Sequence, residues 1–325
     1  MLAFKRFTSS AAHKRELQEF FTYHTTKADL KPWIYRPKNA NILLTMDLKD
    51  PETNAPLKPR SPVQPLSRKV LDQYINSIEP NSRELVDWLR EWTEVSTRKH
   101  ALWKYISAGH IQNMLMLSFF KIGSYTSLVN TLYARQKRFV EAKNHDAFDI
   151  EHFFNTIVVC NLHRNQELGY KTGDIALRKL ETAWKHVTRG NNETGLANSL
   201  ISALIKQQGI TTEPNLRGLS TKAINLPSLP ENDSPGNTAA SISEHKFTYI
   251  IARTILDFDP DADQAIGMFV RTYQARLKEL DRKDFYEENV STMRQNFAAK
   301  KAKEMQHDRN QTELQPEEKS PEAKA

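Results

Sequence analysis

The sequence predicts an all-α protein in which helical hairpins stack into a solenoid behind an extended, basic, proline-rich arm. Three observations carry this. Only 10 glycines stand in 325 residues, too few for the tight turns of a strand-rich chain. From Ser67 onward apolar residues recur at helical spacing, the signature of amphipathic helices. Three similar segments begin at Asn113, Asn155 and Asn198, 42 and then 43 residues apart, and a period of that size marks stacked helical pairs.

Taken in order, residues 1–15 read MLAFKRFTSSAAHKR, and the first acid is Glu16. On a helix Leu2, Phe4 and Phe7 gather on one side and the basic residues on the other. An acid-poor, Ser/Thr-rich, Arg-bearing start of this kind marks a mitochondrial presequence, whereas a secretory signal needs an unbroken apolar run. Cleavage after Phe7 or within residues 8–25 would remove it, and the expected location is the mitochondrial matrix.

Residues 16–66 form the expected arm. Pro32, Pro37, Pro51, Pro56, Pro59, Pro62 and Pro65 recur too often for a helix or an interior strand. Between Lys27 and Lys69 nine basic groups face four acids, with Trp33 and Tyr35 set inside KPWIYRPK. Such a segment buries too little apolar surface to offset its ordering entropy, so it takes its order from a partner or stays a linker. If the partner is RNA, Trp33 and Tyr35 offer rings for bases, and Arg36, Lys38, Lys58, Arg60, Arg68 and Lys69 offer charge for phosphates.

Residues 67–282 carry the helical repeat. In SRELVDWLREWTEVS, Ser82 is a natural N-cap, and Leu85, Trp88, Leu89 and Trp92 share one face. Helices follow over 109–121, 124–143, 149–164, 172–188 and 193–208. A Pro-, Ser- and Asn-rich insert at 209–243 reads as a surface loop, after which helices return at 244–257 and 260–282. A C-terminal helix spans 283–305, and 306–325 reads as a disordered tail.

Composition excludes several function classes. The longest apolar run, MLMLSFF at 114–120, is far short of the roughly 18 residues that cross a bilayer, so no membrane insertion is expected. Cys160 is the only cysteine, which rules out an intramolecular disulfide and a cysteine-based zinc site. In DFDPDADQ four aspartates alternate, but a calcium loop would need Gly where Ala262 stands and Glu where Met268 stands; Asp259 before Pro260 instead suits a helix start. There is no HExxH, no phosphate-cradling glycine loop and no GxSxG elbow. No metal, cofactor, small-molecule substrate or catalytic residue is therefore expected, and the chain reads as a non-enzyme.

Charge points to polyanions. Residues 1–80 carry 13 basic and 8 acidic groups and residues 81–230 carry 19 and 13, while residues 231–325 carry 14 and 18. The basic front and middle suit nucleic acid.

The three repeat segments are NMLMLSFFKIG, NTIVVCNLHRN and NSLISALIKQQ, and TYIIARTILDF from Thr248 is a fourth copy without Asn. Each Asn is followed by aliphatic residues two and three places on, and by Lys121, His163 or Lys206 eight places on. This N-x-L-[MI]-x-x-x-x-K run, continued by SYTSLVNTLY, resembles the pentatricopeptide repeat of organellar RNA-binding proteins over residues 109–282. The resemblance implies a right-handed solenoid with Asn113, Asn155 and Asn198 on the concave face, where a carboxamide can address a base edge, and Lys121 and Lys206 as further RNA contacts. Read locally, each Asn could equally bond backbone near its helix start. The repeats are longer than that family's and lack its Pro-Asp ending, so a code of one base per repeat is not implied.

The whole layout, with KPWIYRPKNANILLTMDLKDP in its arm, also resembles a fungus-specific family of the mitochondrial small ribosomal subunit. That implies a structural subunit contacting ribosomal RNA and other mitochondrial ribosomal proteins. An RNA-binding factor for processing or translating one mitochondrial mRNA, and an assembly adaptor that binds only protein, are the other readings.

Overall fold

The computed structural model describes residues 2–49, 54, 56–94, 100–141, 150–169, 194–209, 223–229 and 234–313. Among them the secondary structure is helical, apart from one isolated bridge between Lys49 and Pro56. No helix of the described residues is long and apolar enough to cross a membrane.

The chain begins with α1 (Leu2–Thr25). Leu17, Phe20, Phe21 and His24 recur at the i, i+3, i+4, i+7 positions of one face. Leu17 is buried, and Phe20 and Phe21 pack against the main core. Helix therefore replaces the extended chain expected over 16–25, because the first proline is Pro32 and nothing before it breaks the pattern. Two short helices follow, α2 (Lys31–Ile34) and α3 (Ala40–Thr45). Ile34, Tyr35 and Leu43 form a small second core with Tyr23, Leu30, Leu48, Leu57 and Val63, and Arg60 N donates to Ile34 O across it at 2.8 Å. The arm is thus folded back over 31–48, and residues 57–66 run without helix, where Pro59, Pro62 and Pro65 forbid one.

The repeat region starts with α4 (Arg68–Ser77) and α5 (Glu84–Trp92), followed by α6 (His100–Tyr105), α7 (Ala108–Leu117), a π-helical turn over Ser118–Ile122, α8 (Tyr125–Glu141), α9 (Ile150–Leu168) and α10 (Leu196–Gln208). Then come α11 (Pro235–Glu244), α12 (Lys246–Phe258), α13 (Gln264–Glu279) and α14 (Phe285–Glu313). The expected helix over 172–188 lies outside the described residues. An inner row packs in chain order, α4 on α7, α7 on α9, α9 on α10 and α10 on α12, while α5 meets α8 and α12 meets α13 in the second row. This is the solenoid that the repeat predicts, since each helix pair has an apolar face only its neighbours can cover. One continuous core runs from Leu17 to Met293.

Local chemistry sets the boundaries. Ser67 accepts from Lys69 N to cap α4, and Ser107 with His110 forms a capping box on α7. The π turn ends at Gly123, whose φ of +84° suits glycine. Asp263, not Asp259, caps the helix after the aspartate run: it accepts from Ala265 N at 2.8 Å, and Asp259 closes α12. The expected loop over 209–243 is shortened at its end, because Ser234 followed by Pro235 starts α11. Helix also reaches Glu313, into the expected tail.

Candidate nucleic-acid interface

Arg36, Lys38, Lys58, Arg60, Arg68 and Lys69 are all exposed, and Trp33 is 36% exposed. The last two cations sit on the first turn of α4, which is firmly held. Tyr105 Oη donates to Ser67 O at 2.7 Å. Ser107 N donates to His110 Nδ1 at 3.1 Å, so the proton is on Nε2, which donates to Arg68 O at 3.0 Å. Burial lowers the His110 pKa against the pull of nearby Asp72. A neutral, orienting imidazole thus ties the start of α7 to the start of α4 and fixes where Arg68 and Lys69 stand.

Tyr35 does not join this surface. It is 7% exposed and its ring meets Tyr23 edge-on at 4.9 Å. The second core needs an aromatic wall where α2 ends, and Tyr35 supplies it rather than a platform for a base. What sequence reasoning missed is beside it: Ile42, Leu44 and Met46 are exposed at 46%, 64% and 51%, because α3 turns only Leu43 inward.

The repeat asparagines are corrected more sharply. Asn113, Asn155 and Asn198 are only 3%, 3% and 8% exposed. Asn113 Nδ2 donates to Asp72 Oδ1 on α4 at 3.0 Å, which links neighbouring inner helices. Neither a base edge nor the local backbone takes this amide, because the inner row packs on both sides of α7. Of the residues eight places on, Lys121 and Lys206 are exposed and His163 is buried. Lys206 is bound to Asp259 and lies 4.0 Å from Asp261, and the Asp259 bond raises its pKa. Its charge is thereby answered within the protein, which argues against a role on phosphate. Lys121 stands at the end of the π turn and keeps its place on the surface.

His163 serves the core. Thr254 Oγ1 donates to Ile250 O and Tyr286 Oη to Asp257 Oδ2, so both hydroxyl protons beside the ring are committed. His163 Nε2, 3.4 Å and 3.3 Å from those oxygens, must carry hydrogen. Burial, aided by the charge of Arg294, pushes its pKa down to about 3. Cys160 is fully buried and burial raises its thiol pKa, the opposite of what a nucleophile needs. The aspartate run is likewise spoken for: Asp257 accepts from Arg253 and Tyr286, Asp259 from Lys206, and Asp263 caps α13. Among the described residues no three His, Cys, Asp or Glu side chains are grouped to hold a metal ion.

Two family models match this chain. One, described as the MRP13-like N-terminal domain, covers residues 5–77. The other, the MRP13-like C-terminal domain, covers residues 82–308. They meet between α4 and α5, so the first inner helix belongs to the N-terminal match with α1 and the arm. Together they span nearly all of the described chain, and the family's partners are ribosomal RNA and ribosomal proteins. With these two matches over residues 5–77 and 82–308, the chain belongs to the MRP13-like family of mitochondrial small-subunit ribosomal proteins.

Proposed function

We propose that this small-subunit protein meets ribosomal RNA along the edge formed by Arg36, Lys38, Lys58, Arg60, Arg68 and Lys69, with Trp33 beside it, while its helical repeat packs against neighbouring ribosomal proteins in the mitochondrial matrix. The observation that carries this is the exposure of all six cations on one stretch whose far end is pinned to α4 by Tyr105 and His110. Phosphates are recognised by charge held in place, and a rigid first turn of α4 costs no further ordering on binding. The protein acts by structure and has no catalytic role or small-molecule substrate. Residues 1–15 serve as the presequence; that residues 11–16 are exposed or half-buried while Leu17 is buried supports removal ahead of Leu17.

The test uses the full chain and a labelled single-stranded RNA over a salt series. Each phosphate neutralised contributes a slope of about −0.7 in log K against log salt. Changing Lys58, Arg60, Arg68 and Lys69 to Gln should flatten the slope by up to about 3. An unchanged slope would remove this edge from the RNA interface.

A further inference from the structure

A groove of about 290 Å3 lies between α1, α4 and α5. Leu17, Tyr74 and Trp88 give it apolar walls, all three buried, with the two rings 6.1 Å apart. Its rim is acidic. Glu84, Asp87 and Glu91 line it from α5, at the i, i+3, i+7 positions that share one face of a helix.

This groove already holds a cation. Lys14 Nζ donates to Glu84 Oε1 at 2.6 Å, and Tyr74 Oη donates to the same oxygen at 3.0 Å. Burial first, then the charge and hydrogen bond of Glu84, then the charge of Glu91 raise the Tyr74 pKa, so the hydroxyl keeps its proton and fixes the carboxylate. Lys14 itself is loosely held, since its side chain is 62% exposed. It also falls within residues 1–15, the segment read as the presequence. Removing that segment takes the ammonium away and leaves the walls and the three acids, in a groove that is wider by one side chain.

On the readings of residues 1–15 as a presequence and of the chain as a small-subunit protein, we propose that this groove receives a lysine side chain from a basic segment of a neighbouring small-subunit protein, and that Lys14 holds its place until the presequence is cut away. Apolar walls that end in a carboxylate match a long alkyl stem that ends in a positive charge. A rim of acids repels phosphate, which sets this surface apart from the basic arm. The walls and rim come from both family domains, Tyr74 from the match over residues 5–77 and Glu84, Asp87, Trp88 and Glu91 from the match over residues 82–308. The groove therefore sits at their junction.

The first experiment takes the full chain and a fluorescein-labelled hexalysine peptide at low salt. Lys14→Gln vacates the groove and should bind the peptide about fivefold tighter than the wild-type chain, the factor that an exposed ion pair can carry. Arg15→Gln makes the same change in net charge one residue away, at a side chain 3.9 Å from Glu19, and should leave the affinity unchanged. Adding Glu84→Gln to Lys14→Gln should cancel the gain, because the amide can still accept from Tyr74 but carries no charge. Helix content by circular dichroism should be the same in all four proteins. No gain in Lys14→Gln, or an equal gain in Arg15→Gln, overturns the proposal. The second experiment treats assembled small subunits with a carbodiimide, which joins a carboxylate to an amine in contact with it. An amide bond between Glu84 and a lysine of another protein supports the site. A bond from Glu84 to Lys14 or to the new N-terminus of the same chain, or no bond from Glu84, overturns it while leaving the subunit reading intact. Absence of the chain from small subunits would instead count against the subunit reading, with the hexalysine result still deciding whether the groove takes lysine.

Discussion

Removing residues 1–15 and truncating Leu17 should have very different consequences. Leu17 is 2% exposed and sits between α4 and α5, where a groove is lined by Tyr74, Trp88 and Glu84. Leu17→Ala loses the transfer free energy of the side chain and leaves part of a cavity. Buried Leu→Ala changes cost about 2–5 kcal/mol, and the adjoining groove lets water or Trp88 relax into the space, so about 3 kcal/mol is expected here. Within residues 11–15, deletion removes the Lys14–Glu84 pair at 2.6 Å, whose side chains are 62% and 37% exposed. Exposed pairs contribute about 1 kcal/mol or less. Urea denaturation of the three proteins reads both effects, and the midpoint of Leu17→Ala should fall with the m-value unchanged. In heat the variant should melt about 4–5 °C lower, and the deletion within about 2 °C of the full chain. A deletion that costs as much as Leu17→Ala, or a Leu17→Ala change worth less than about 1 kcal/mol, would refute the assignment of the core's edge to Leu17.

Two further predictions concern the inner row. His163 has its pKa lowered from 6.5 to about 3 in the folded chain; the unfolded chain therefore binds the extra proton first, and stability should be full above about pH 6.5 and fall as pH drops toward 3. Replacing His163 with Gln should flatten that stretch of the stability–pH curve, and an equally steep curve in the variant would assign the acid sensitivity elsewhere. Asn113→Asp should destabilise by about 2 kcal/mol, since a carboxylate would then face Asp72 Oδ1 across the 3.0 Å contact. The like-charge pair raises a folded-state carboxyl pKa, so stability should recover as pH falls through the carboxylate range, and Asp72→Asn in the same chain should restore it at neutral pH; independent, additive costs in the double variant would contradict the bond.

The stacking of the repeat was legible because its units share a period and cannot bury their faces alone. The role of the asparagines was not. In α7 every residue from His110 to Leu117 is buried, and a helix apolar on all sides packs on more than one face. Spacing locates Asn113 on the helix but does not say which side faces solvent. The arm was misread at its start for a different reason. Proline density describes residues 32–65, whereas 16–25 carry a helical stripe of Leu17, Phe20 and Phe21 that a composition window absorbs into its neighbours. At Asp259 two rules competed. Proline after Asp suggests a helix start, but Lys206 binds Asp259 and Asp263 makes the better cap; a partner 53 residues away in sequence is invisible to local reading. The cations of the arm are exposed, whereas Tyr35 was lost to a small core that only the fold-back of the arm creates.

The measurement that bears most directly on this account is the copy number of the protein on mitochondrial small subunits, read by sedimenting lysates at low and at several-hundred-millimolar salt. A subunit held by its basic arm and by protein neighbours should be present at about one copy per particle and remain there in both gradients, because weakening each phosphate contact does not release the others. Deleting residues 27–66 should loosen it at the higher salt. Protein found at a small fraction of the particle number, released at moderate salt and recovered near the top of the gradient, would contradict a structural role in the small subunit.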